Sequence, residues 1–101
     1  MAAVTVYIPT SFRRATSDRD RVEFAAADIS GLLDQLEASY KGLKGLMRDE
    51  GGEVHRHVNI YVNNEAIESL QGVRTALKDG DEVSIIPALA GGVRARAFGR
   101  P

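Results

Sequence analysis

No cysteine occurs among the 101 residues, and that omission excludes disulfides, thiolate metal sites and any thiol nucleophile belonging to the chain itself. Sulfur chemistry can involve such a chain only through another group. Long apolar runs are missing as well: no stretch approaches the roughly 20 residues that span a bilayer, so no membrane partner is expected. Met1 to Tyr7 has no basic start leading into a long apolar core, so no secretion signal is expected and the cytoplasm is the expected compartment. Clustered positive charge is scarce in the body of the chain. Three arginines, Arg94, Arg96 and Arg100, fall after Gly92 with no acid among them; without them, 10 Lys and Arg stand against 14 Asp and Glu, so residues 1–92 carry about four net negative charges. A mildly acidic body argues against a nucleic-acid-binding domain, which needs positive charge gathered on one folded face.

What is present fits one domain with one hydrophobic core: about a hundred residues, 44% hydrophobic and 27% charged. Val4, Val6 and Ile8 alternate with Thr5 and Tyr7, the period of a strand with one covered face, and Pro9 ends it. Val22 and Phe24 repeat the pattern across a polar, turn-prone stretch, so Val4 to Phe24 reads as a hairpin with a long loop. From Asp28 the period changes. Ile29, Leu32, Leu33, Leu36 and Tyr40 are three and four apart, one stripe of a helix, with Asp28 or Ser30 as its cap and Gly42 as its end. "KGLKGLMRDEGG" reads as loop with a short helical turn. Val58, Ile60 and Val62 mark a third strand, with His57, Asn59 and Tyr61 on its other face, and Asn63-Asn64 tolerates the left-handed backbone of a tight turn. Ile67, Leu70 and Leu77 are expected core plugs on short turns, and Asp79-Gly80-Asp81 turns into a final strand, Val83 to Ile86, stopped by Pro87 because it lacks an N–H. The expected class is α+β, a four- to five-stranded sheet with one main helix packed across it.

Several chemical sites can be tried and set aside. His55 and His57 would share a face if they lay on a strand, but no third metal ligand is evident, and solvated surface histidines are the commoner case. Asp79 with Asp81, and Asp18 with Asp20, sit in turn-like sequence where aspartate serves the backbone rather than acid–base work. The glycines lack the strand, helix and Gly-Lys-Ser/Thr ending of a phosphate loop. Ser11, Ser17 and Ser39 have no recognisable base nearby. No enzyme activity and no metal site are expected of the chain itself.

The end of the chain, "PALAGGVRARAFGRP", is where the chemistry points. Gly91 and Gly92 have no side chains, so an extended "AGG" fits a narrow channel and brings its carbonyl close to another protein's catalytic groups. The other reading of the two glycines is a linker to an unpacked end.

Residues 4 to about 92, through "VYIPTSFR", "LLDQLEASYKGL", "HRHVNIYVNNEAI" and "LKDGDEVSIIPALAGG" and their spacing, resemble the ubiquitin-like sulfur carriers of the MoaD and ThiS kind, most closely those that feed cysteine synthesis in actinobacteria. The resemblance implies a β-grasp domain over residues 1–90 with the last strand beside the first, and a tail over 91–101. It implies that the working group is the carboxylate of Gly92. An E1-like partner would use ATP to convert that carboxylate into an acyl-adenylate, and sulfur would replace AMP to give a thiocarboxylate that donates to a synthase, with a PLP-dependent cysteine synthase first in view. The carrier itself would hold no cofactor. Thiazole, molybdopterin, thiosugar and siderophore pathways are the other acceptors such a carrier serves.

One departure from the simplest family pattern is "VRARAFGRP" after Gly92: while it remains, Gly92 has no carboxylate to activate. Relatives made as such precursors are trimmed by a JAMM-type zinc metalloprotease, which here would cut between Gly92 and Val93. An Arg-rich extended segment suits a protease, which needs an unpacked chain. A recombinant scar is the rival origin of the nine residues. In a β-grasp order, Tyr7, Tyr61 and Ile86 should be neighbours on the face away from the helix, a docking patch beside the tail, with Leu89 as a further anchor; the alternative is that they merely pack across strands. Two other functions stay open, a ubiquitin-like modifier joined to lysines through Gly92 and a plain interaction module. A monomer is expected.

Overall fold

The computed structural model describes residues 1–87. Five strands, β1 (Ala2–Tyr7), β2 (Arg21–Ala26), β3 (Val58–Val62), β4 (Glu65–Ala66) and β5 (Glu82–Pro87), form one sheet in the order β2-β1-β5-β3-β4. β1 and β5 run parallel at its centre, and every other pairing is antiparallel. One helix, α1 (Ile29–Ser39), covers one face. This is the β-grasp order, with the last strand beside the first.

The alternation in the sequence becomes the two faces of the sheet. Val4, Val6, Ile60, Val62, Val83 and Ile85 are buried beneath α1, while Thr5, Tyr7, Asn59, Tyr61 and Ser84 lie half-buried on the other side. On α1, Ile29, Leu32, Leu33 and Leu36 meet the sheet with almost no exposure, and Tyr40 packs at the stripe's end. Asp28 caps the helix: its Oδ1 accepts from the Gly31 N–H at 2.8 Å, satisfying one of the donors a helix start leaves unpaired. Asn63 and Asn64, at φ 51° and 73°, form the left-handed turn between β3 and β4. Asparagine tolerates that backbone better than most residues.

Three expectations need correction. Gly42 does not end the helix, which stops at Ser39 with Tyr40 as its cap. A Cβ at Gly42 would lie 3.0 Å from the Ala15 side chain, so the glycine serves close approach between two short 3-10 segments, Lys41–Leu43 and Thr10–Thr16. Leu70 is no core plug: it is 37% exposed, whereas Ile67 and Leu77 are buried. Its apolar character misleads because a single leucine on a short turn has no period to fix its direction. Pro87 does not stop the ladder before it, since it stands in register opposite Val58 and its carbonyl remains an acceptor. The stretch after α1 is loop with the short helical turn Lys41–Leu43, as expected, and it contributes Leu43 and Met47, both fully buried, to the core.

That stretch is held by a contact between residues far apart in sequence. Arg48, folded back in a tight turn paired with Val54, reaches α1 and donates to both Glu37 oxygens, Nε to Oε2 at 3.1 Å and Nη2 to Oε1 at 3.0 Å, and to Asp34 Oδ1 at 2.8 Å. Only 12% of the Arg48 side chain is exposed. The Glu37 hydrogen bonds, aided by Asp34 and opposed by burial, hold its guanidinium above the usual arginine value. A bidentate guanidinium–carboxylate fork is geometrically specific, so it fixes the register of the segment on the helix.

Candidate functional site: the end of the sheet at Pro87

Parallel pairing of β1 and β5 sets Tyr7 beside Ser84, and antiparallel pairing of β3 and β5 sets Tyr61 beside the same Ser84. With Arg21 opposite Tyr7 and Ala66 opposite Tyr61, one row crosses all five strands on the face away from α1: Arg21, Tyr7, Ser84, Tyr61, Ala66. Ile86 is two residues further along β5, beside Asn59, and is 49% exposed. The two tyrosines therefore flank Ser84 rather than touch as direct strand neighbours. Ile86 stands between this row and Pro87, the last described residue. An exposed isoleucine two residues along β5 from the serine that two half-buried tyrosines flank gives this face its apolar character.

The end of the sheet is bordered by the Pro9–Thr16 segment, which follows β1, and by the turn His55–His57, which precedes β3. Phe12 and Thr16 are buried and pin the first border; the Thr16 hydroxyl lies within reach of the Arg13 and Arg19 carbonyls. On the second, the histidine rings stack at 5.3 Å with planes 15° apart, and His55 Nε2 lies 2.9 Å from the Gly45 carbonyl. The residues lie in a turn before β3 rather than on a strand. Nearly parallel rings do not aim two in-plane lone pairs at one ion, and among the described residues no three acids or histidines gather as a metal site.

Of the carboxylates singled out in the sequence, Asp79 and Asp81 are occupied by structure. Asp79 Oδ1 accepts from the Ala3 N–H at 2.8 Å; Asp81 takes the Lys78 N–H at 2.8 Å and the Asn63 amide at 2.9 Å. They tie the start of β5 to β1 and to the β3–β4 turn, as aspartates in turns commonly do. A cleft of about 610 Å³ lies between α1 and the Lys44–His55 segment, but its floor is the Arg48 ion-pair cluster and it excludes Tyr7, Tyr61 and Ile86. Sequence reasoning missed that cluster, whose partners are separated by 11 and 14 residues. Leu89, Gly91, Gly92 and Val93 lie outside the described residues. Among the described residues, no helix is long and apolar enough to cross a membrane.

Comparison with known proteins agrees with the geometry. The ThiS family model matches residues 6–92. The sulfur carrier protein CysO of Mycobacterium tuberculosis is 42% identical over 91 residues, covering 88% of this chain and 98% of the relative. The small archaeal modifier protein 3 of Haloferax volcanii is 46% identical over 66 residues, 65% of this chain and 71% of the relative. In a crystal structure of the Amycolatopsis orientalis BexX/CysO complex, one chain superposes with a TM-score of 0.82 at 38% identity, covering 88% of this chain and 99% of that one. With so much of its length matched, the chain belongs to the ThiS family and stands among its sulfur carriers, not among enzymes.

Proposed function

We propose that the chain carries sulfur on the carboxylate of Gly92 after residues 93–101 are removed by a JAMM-type zinc metalloprotease cutting between Gly92 and Val93. The observation that carries this reading is that the family match runs to residue 92 and no further, so the second glycine is the last residue held in common. Residues 1–90 act as the β-grasp body and residues 91–101 as the tail and its extension. An E1-like enzyme supplies ATP. A Gly92 carboxylate oxygen attacks the α-phosphorus and releases pyrophosphate; hydrosulfide released by a donor then adds at the carbonyl of the mixed anhydride and AMP departs, leaving a thiocarboxylate. A carboxylate is a poor electrophile and the anhydride a good one, so the ATP-dependent step precedes sulfur addition. The acceptor is a small molecule held by a synthase, first among them a PLP-dependent cysteine synthase, in line with the CysO relatives.

The body presents the tail. Tyr7, Tyr61 and Ile86 form the docking face for the activating partner, and Leu89 is a further anchor on the stem. Ile86→Asp is expected to weaken adenylation roughly tenfold through KM, because interface energy concentrates in a few apolar and aromatic anchors. Its melting temperature should match that of the parent protein, since the side chain is half exposed. An unaltered KM would remove Ile86 from the docking face.

The direct test is mass spectrometry of the intact protein after incubation with the protease, the E1-like enzyme, ATP and a sulfur donor. The expected product ends at Gly92 and gains the mass of one sulfur in place of one oxygen. A second reading, a modifier conjugated to lysines, is favoured by the similarity to the Haloferax modifier protein. Branched peptides joining Gly92 to lysine side chains, with no thiocarboxylate, would establish that reading instead.

A further inference from the structure

The sheet has a six-residue open edge, β2, and its backbone polarity can be worked out residue by residue. Ala3 donates to Asp79 Oδ1 at 2.8 Å and accepts from the Gly80 N–H at 2.9 Å, and Thr5 donates to the Asp81 carbonyl at 3.1 Å, so both turn their backbone groups toward β5. Their partners across the ladder, Ala25 and Glu23, therefore turn theirs away from β1, as antiparallel alternation requires. Contacts at both ends of the strand agree. The Ile8 N–H reaches the Asp20 carbonyl at 2.8 Å, placing even-numbered groups on the β1 side, and the Ala25 carbonyl accepts from Gln35 Nε2 of α1. Gln35 thus closes one end of the edge. Arg21 and Glu23 present backbone donors and acceptors outward with no partner among the described residues, and their side chains stand exposed on the outer face.

Proteins commonly blunt an open edge with charge. Charges of one sign would do so. Opposite charges two positions apart do the reverse when the strand meets itself antiparallel.

We propose that β2 pairs with β2 of a second copy of this chain, about a twofold axis at Val22, with Arg21 opposite the partner's Glu23 and Glu23 opposite the partner's Arg21. This register makes both facing pairs hydrogen-bonded, gives two cross-strand ion pairs on the outer face, and ends before the Ala25 carbonyl that Gln35 occupies. Shifting the axis to Glu23 sets two like charges against each other and calls on the occupied Ala25 position. Val22 and the half-buried Phe24 extend the apolar inner face across the junction. Because the paired strands run in opposite directions, the two β5 strands also point in opposite directions. This goes beyond sulfur carriage and does not depend on it.

Sedimentation equilibrium of the full chain, from micromolar to millimolar, should show a reversible dimer. Arg21→Glu and Glu23→Arg should each weaken association roughly tenfold, since two attractive cross-strand pairs become two repulsive ones. The double variant R21E/E23R should recover it, and an equimolar mixture of the two single variants should form a heterodimer tighter than either homodimer. Circular dichroism of each variant verifies the fold, and protection of the Arg21 and Glu23 amides from hydrogen exchange should rise with concentration. A protein that stays monomeric at millimolar concentration, single variants that associate like the parent, or a mixture that gains nothing, would each overturn the proposal.

Discussion

A chain ending at Gly92 in which that glycine is replaced by valine is expected to form thiocarboxylate at least about a hundredfold more slowly than the parent, with an unchanged melting temperature. The size of the effect follows from how acyl transfer depends on position: displacing a reacting carbonyl by about an ångström costs on the order of a hundredfold. A β-branched side chain both widens the tail and restricts its backbone where a partner must close around it. The described residues already form a core, in which Val6, Leu32, Leu36 and Val83 are sealed from solvent, so stability is expected not to respond. Intact-mass spectrometry beside a thermal melt separates the two. Sulfur loading at the parent rate would show that Gly92 is not the reactive end.

Leu36→Ala is expected to lower stability by about 2–5 kcal/mol, the range for truncating a fully buried leucine that leaves a cavity. Leu36 has no exposed surface and sits where α1 meets the sheet. For a domain of this size, each kcal/mol corresponds to roughly 4–8 °C in melting temperature, so the loss should be plain in a thermal scan and as a drop in urea midpoint at constant slope. Met47→Ala is the sharper comparison. Met47 is as buried as Leu36 but belongs to the stretch after the helix, held there by Arg48 on Glu37. If its truncation stays within about 0.5 kcal/mol, as for an ordinary surface substitution, that stretch is not part of the cooperative core.

The contrast between those two residues shows what local pattern reveals. Leu36 belongs to a stripe repeating every three and four positions, and Asp28 at its head is a residue type that caps helices, so the helix and its buried face are legible in the amino-acid order alone. The same holds for Val58, Ile60 and Val62, whose alternation survives into the sheet, and for Asn63-Asn64. Met47 and Leu43 have no such frame. Gly42 and Gly45 interrupt any helical period, and the segment's position depends on Arg48 reaching back to Asp34 and Glu37, a contact with no local signature. Leu70 errs the other way, an apolar residue on a turn that is 37% exposed. Tyr7, Ser84 and Tyr61 come together only through the pairing of the first and last strands, which the family resemblance supplied and periodicity did not. Leu89, Gly91, Gly92 and Val93 rest on sequence and resemblance alone, because they lie outside the described residues.

β5, the last described strand, is gripped on both flanks, parallel to β1 and antiparallel to β3. Traction applied at the C-terminus therefore loads two ladders in shear at once, so that many backbone hydrogen bonds must give way together rather than unzip singly. A machine that pulls substrates apart from that end meets its stiffest resistance at the first step. β5 is anchored in the sheet like a rope spliced into the middle of a cable.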